Sequence, residues 1–152
     1  MIRQLRLYVL ISILFAAAGC SSTTFGNHET MEHPDESLIN TYWKLVRLDG
    51  APIIGQENFR EAHMVLHQDA SRLAGATGCN TLMGSYQVEN EHIAFNQVAA
   101  TKRACPVPQM ETERTFLAAL KQATAWRVEG ARLVLSSDNN EPLASFEAVH
   151  LY

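Results

Sequence analysis

The run Gly75-Ala-Thr-Gly-Cys-Asn80, answered after two strand-like segments by Thr101-Lys-Arg-Ala-Cys105, constrains this chain more than any other stretch. Two glycines three residues apart mark a backbone that either takes positive φ or passes too close to a neighbour to carry a Cβ. Asn80 suits such a corner because its short amide bonds nearby backbone groups. The chain has three cysteines. Cys20 stands at the end of the amino-terminal signal, ahead of the folded part, which offers a single intramolecular pairing, Cys79 with Cys105. In an oxidising compartment that pairing is a disulfide, and closing a loop of this length stabilises a fold by roughly 3 to 4 kcal/mol on the chain-entropy account. A catalytic thiol and a pair of metal ligands are the alternatives. None of His63, His67, His92 or His150 stands in a context that nominates it as the base a thiol needs. Two sulfurs are too few for a structural zinc site.

The compartment is read from the first residues. Arg3 and Arg6 precede an apolar run from Leu7 to Ala18, broken by Ser12. That run is shorter than the roughly 20 residues a membrane-spanning helix needs, which makes it a secretory signal. It ends in Ala17-Ala18-Gly19-Cys20, which resembles the bacterial lipobox, where small residues precede a cysteine that receives lipid and becomes the mature first residue. On that resemblance residues 1–19 are a lipoprotein signal peptide and Cys20 carries acyl chains such as palmitate. Ser21 after the cysteine resembles the pattern of outer-membrane delivery in Gram-negative bacteria. Residues 20–40 are polar and poor in large apolar side chains, and read as the lipidated cysteine with a flexible tether. Several acyl chains hold a protein at a bilayer where one alone is marginal. The expected location is the cell envelope, on the periplasmic face of the outer membrane, with the membrane reached through the lipid on Cys20.

Taking away Arg3 and Arg6 with residues 1–19 leaves 10 Lys and Arg against 16 Asp and Glu, a net of −6, and four of those acids lie in residues 20–40. The remaining domain, residues 41–152, is only mildly acidic and has no basic stripe to neutralise phosphates, so nucleic acid is not an expected partner. It is long enough for one modest core.

Within it, Thr41 to Leu48 is rich in aromatic and β-branched residues and stops at Asp49-Gly50, a first strand with Trp43 and Leu45 turned inward. Residues 51–61 read as an irregular connection. Ala62 to His67 makes a second strand, with Met64 and Leu66 on one face. His63 and His67 lie on the other, roughly 13 Å apart along an extended chain and too far apart to share one ion. Thr81 to Glu89 carries Met83 and Val88 on opposite parities, which predicts a bulge near Gly84. His92 to Asn96 follows, and an extended run leads on to Cys105. After Pro106 and Pro108 the period changes: Met110, Phe116, Leu117, Leu120 and Ala123 recur at helical spacing, predicting one helix over residues 109–125. Glu113 shares that stripe, an unusual place for a carboxylate. Three strands close the chain, Trp126 to Glu129, Arg132 to Ser136 and Leu143 to Leu151. The pattern predicts a mainly β fold with one α-helix, a small antiparallel barrel or sandwich packed by that helix. Trp43, Phe95, Phe116, Trp126 and Phe146 are expected in its core.

Trp43-Lys-Leu-Val46, Gly78-Cys79-Asn80, Met83-Gly84-Ser-Tyr86, Thr101 with Cys105, Glu113 with Phe116 and Leu120, and a last strand containing Phe146 follow an order and spacing that closely resemble the META domain family of HslJ-like bacterial lipoproteins. The resemblance runs from about Thr41 to the end. The family's Thr-x-Met-x-Cys reads Thr101-Lys-Arg-Ala-Cys105 here. It implies a small antiparallel β fold with one helix in an envelope protein linked to stress or drug tolerance, with no enzymatic mechanism attached. Asn80, Thr101 and Glu113 are the candidate structural or ligand-anchoring polar residues. Glu113 is expected to bond the backbone amides of the Gly78 to Asn80 corner, or else to stand as a polar anchor in a ligand cavity.

The function expected is that of a non-enzymatic envelope lipoprotein, a binding or interaction module for an envelope protein or an apolar small molecule, with no catalytic residue, no cofactor and no metal. The alternative is a carrier or pilot that shelters an acyl chain or a lipoprotein tail in an apolar barrel cavity. No Cys-x-x-Cys, Gly-x-Ser-x-Gly or His-Glu-x-x-His occurs to support a hydrolase or thiol oxidoreductase.

Overall fold

The computed structural model describes residues 34–55 and 57–150. The expected signal peptide, the expected lipidation site Cys20, most of the expected tether and the expected end of the last strand at Leu151 lie outside them. The described residues fall in one compact unit.

Nine strands and one helix make up the described fold: β1 Tyr42–Leu48, β2 Ala51–Pro52, β3 His63–His67, β4 Arg72–Ala76, β5 Thr81–Glu89, β6 His92–Ala100, α1 Val107–Gln122, β7 Ala125–Glu129, β8 Arg132–Ser136 and β9 Pro142–Val149. All pairings are antiparallel, in the order β2-β1-β3-β4-β5-β6-β7-β8-β9. A further ladder from Tyr42↔Val149 to Leu48↔Ala144 joins β1 to β9, so the sheet closes into a ring. The seam is thinnest between β6 and β7, which share only the His92↔Ala125 pair.

Turn chemistry sets these hairpins. Asp49 and Gly50 take φ of 46° and 75° between β1 and β2, as a two-residue hairpin turn requires. Asn90 and Gly130, also at positive φ, turn β5 into β6 and β7 into β8. The expected bulge is present. The β5–β6 register shifts between Met83 and Ser85, and Gln97 opposite takes φ of 52°. The two glycines of the corner resolve the sequence ambiguity one each way. Gly78 has φ of 92°, whereas a Cβ on Gly75 would lie 2.1 Å from the His63 carbonyl oxygen on β3.

The inside of the ring is filled. Trp43, Phe116, Phe146, Met64, Leu66 and Leu73 are among its fully buried side chains. Phe116 and Phe146 meet with tilted rings at 5.8 Å, a favoured aromatic arrangement that fixes the helix against β9. Phe95 and Trp126 are partly buried against this core, and the Trp126 indole donates to the Asn90 carbonyl at 3.0 Å. The barrel cavity imagined for a carrier is thus occupied by the protein's own side chains.

Two boundaries differ from the sequence reading. The helix runs from Val107 to Gln122, because Pro106 at ψ 154° starts it and Ala123 at ψ 126° ends it. Gln109 is buried on its inner stripe while Met110 is exposed. The other difference lies at the domain start. Residues 34–40, read as tether, pack on the fold: Leu38 is buried and takes the Trp43 indole hydrogen bond at 3.0 Å. Asp35 accepts from the Gly130 amide at 2.6 Å and the Glu36 amide donates to the Gly130 carbonyl. A buried indole N–H needs an acceptor, and this segment supplies it. Among the described residues, no helix is long and apolar enough to cross a membrane.

Candidate functional site

Strand β4 ends and β5 begins at the Thr77–Asn80 corner, and the polar residues marked by the sequence gather there. Cys79 and Cys105 are joined by a disulfide with Cα atoms 6.0 Å apart. Asn80 is buried and works across the fold more than within its own turn. Its Oδ1 accepts from the Arg103 amide at 2.8 Å and from the Thr101 hydroxyl at 3.0 Å, and its Nδ2 donates to the Arg103 carbonyl at 3.2 Å. Thr101 Oγ1 in turn accepts from the Thr81 amide at 3.1 Å. One buried amide thereby clamps the extended segment after β6 onto the corner.

Glu113 does not reach the backbone amides expected for it. Its Oε2 accepts from the Thr77 hydroxyl at 2.5 Å, and Thr77 Oγ1 itself accepts from the Asn80 amide at 2.9 Å. Thr77 stands between the carboxylate and the corner because its side chain has already satisfied the nearest free N–H. Thr77 is fully buried and is the residue sequence reasoning missed here. Its place directly before Gly78 was the available signal. Arg103 was missed too: its guanidinium donates to the Cys79 carbonyl at 2.9 Å, a further bond from this segment to the corner.

Next to this knot lies a groove of about 750 Å³. The connection from Pro52 to Ala62 and strand β1 form one side, through Val46, Ile53 and Phe59. The other side is Gly78 of the corner and the first turns of α1, through Pro108, Gln109 and Thr112. Ile54 on the rim is 83% exposed. Four charged residues share the lining with these apolar ones, Lys44, Glu57, Arg60 and Glu61. Lys44 Nζ pairs with Glu61 Oε2 at 2.8 Å, and Tyr42 donates to Glu61 Oε1 at 2.9 Å. The hydrogen bond from Lys44 is the main cause that holds the Glu61 carboxyl below its ordinary pKa. Burial and then the same Glu61 contact push the Tyr42 phenol well up. Tyr42 also stacks on His63 at 4.3 Å, and His63 Nδ1 lies 3.0 Å from the Glu61 carbonyl. Arg60 makes no ion pair among the described residues, and its charge acts on the Tyr42 phenol against the upward push. An apolar lining with a few convergent polar groups is the composition of a small-molecule or peptide site. His63 and His67 do not meet at a common point, and no cluster of three metal-ligating side chains occurs among the described residues.

The sequence profile described as META domain matches residues 36–150. No curated protein matches the chain. Among solved structures, the chain is similar to a protein from Burkholderia xenovorans determined by NMR, with TM-score 0.58 and 22% identity over 79% of this chain and 99% of that one. It is also similar to a crystallised DUF4847 family protein from Bacteroides vulgatus, with TM-score 0.54 and 14% identity over 72% and 93% of the two chains. At these identities the likeness is one of fold.

Proposed function

The chain belongs to the META domain family, and on that premise we propose that it is a non-enzymatic binding module of the bacterial envelope, held at the outer membrane by lipid on Cys20. Its recognition site is the groove between β1, the 52–62 connection and α1. The groove itself carries this reading: an apolar surface with the Arg60 guanidinium in its lining is suited to an amphiphilic ligand or a short peptide. Titration of the labelled protein with the amphiphile anilinonaphthalene sulfonate, followed by amide chemical shifts, tests it. Shifts confined to residues 44–62, Gly78 and 107–113, and lost in Phe59→Asp, support the groove. Shifts elsewhere, or none, refute it. Membrane fractionation with palmitate labelling tests the anchor, and Cys20→Ser is expected to abolish both signals.

The same lining favours a second reading, a carrier for an acyl chain or a lipoprotein tail. Since the ring interior is filled, the chain would lie along Ile53 and Phe59 outside it. A lipid-sized adduct on the exported protein in native mass spectra, absent in Phe59→Asp, would favour the carrier over the module.

A further inference from the structure

The disulfide ties the start of the helical side of the groove to the Thr77–Asn80 corner. Cys79 follows Gly78 and Cys105 is three residues before Pro108, and Gly78 and Pro108 line the same side of the groove. Two hydrogen-bonded clamps flank it in sequence. Upstream, Asn80 holds Thr101 and Arg103. Downstream, Thr77 holds Glu113. Between the clamps, from Ala104 to Thr112, the Cys79–Cys105 bond is the covalent tie to the corner. That stretch contains Pro108, Gln109 and Thr112, the helical side of the groove. The strands of the ring depend on neither sulfur for their ladders.

We propose that Cys79–Cys105 is a redox latch on the groove: oxidised, it seats the first turns of α1 and forms the site; reduced, it frees residues 104–112 while the ring stays folded. The inference rests on the groove reading above for its functional consequence, but its structural part does not. The reductant is a dithiol. Cys79 is 4% exposed and Cys105 is half-buried, so the attacking thiolate reaches Cys105 Sγ. The first exchange forms a mixed disulfide at Cys105 and expels the Cys79 sulfur as thiolate. Asn80 Nδ2, 3.2 Å from that sulfur, donates to it and makes it a better leaving group. The second thiol of the donor then attacks the mixed disulfide. Two electrons and two protons pass to the protein, leaving two cysteine thiols and an oxidised donor.

The test is hydrogen exchange by mass spectrometry on the full chain, oxidised and in dithiothreitol. Exchange in residues 104–112 is expected to rise about tenfold or more on reduction, as for a locally opened unit, with β1, β5, β8 and β9 unchanged. Unchanged exchange in 104–112, or loss of protection throughout the strands, overturns the latch. The double variant Cys79→Ser, Cys105→Ser should show the open pattern with and without reductant; if it does not fold, the reduced wild-type protein gives the same reading. Anilinonaphthalene sulfonate binding, measured in parallel, separates the two proposals. Local opening with loss of probe binding supports both. Probe binding that ignores Phe59→Asp in the oxidised protein sinks the groove reading and leaves the exchange result to decide the latch alone.

Discussion

Replacing Thr77 by valine keeps shape and volume and removes one hydroxyl from a fully buried position. Two bonds go with it, the 2.5 Å donation to the Glu113 carboxylate and the 2.9 Å acceptance from the Asn80 amide. A hydrogen bond to a charged acceptor contributes about 1.5 to 3 kcal/mol, and a buried N–H left unsatisfied costs about 1 to 3 kcal/mol. The two terms overlap because Glu113, half-buried, can take water in place of Thr77. The expected loss is therefore about 3 kcal/mol, which for a domain of this size is a fall in melting temperature of roughly 10 °C. Urea unfolding followed by circular dichroism measures it, and Thr77→Ser, which keeps the hydroxyl, should lose about 1 kcal/mol. Combining Thr77→Val with Glu113→Ala completes a cycle whose coupling should exceed about 1 kcal/mol. If Thr77→Val stays within about 0.5 kcal/mol of wild type, or the two changes simply add, the hydroxyl does not link helix to corner and the reasoning fails.

Other perturbations test separate parts of the structure. Gly75→Ala places a Cβ 2.1 Å from the His63 carbonyl, so β3 and β4 must part; a loss of about 3 kcal/mol or more, or no folded protein, is expected, and wild-type stability would contradict the register. Phe116→Ala empties the centre of the core and should cost about 3 to 5 kcal/mol in the same unfolding assay. Glu61 has its folded pKa below its unfolded value, so its contribution is complete above the ordinary 4.5 and is lost as pH falls through the lowered value. Because Lys44 and Glu61 are nearly half-exposed, the effect on stability should be small. A carboxyl-carbon NMR titration should give Glu61 a midpoint below 4.5, and a midpoint at or above it would show the Lys44 bond is not formed in solution.

Much of the fold was legible in the chain. Two-residue alternation marked the long strands, Asp49-Gly50 and Asn90 marked their turns, and the change to helical spacing after Pro108 marked α1 to within three residues at either end. The parity conflict of Met83 and Val88 foretold the bulge opposite Gln97. What was misread has a common cause. Residues 34–40 look like tether by composition, yet the Trp43 indole, buried by the ring, needs the Leu38 carbonyl. β2 is two residues long and carries no period of its own.

The sequence by itself determined the family, the antiparallel strands, the single helix and the one cysteine pair, because each depends on local periodicity, turn chemistry or a motif in fixed order. Only the tertiary structure decided that β9 pairs with β1 to close the ring, that Thr77 stands between Glu113 and the corner, and that a groove forms from residues 44–62, Gly78 and the first turns of α1. Those are meetings of segments far apart in the chain, made by burial of Trp43, Phe116 and Phe146 in one core. No local pattern records which distant surface such burial brings alongside.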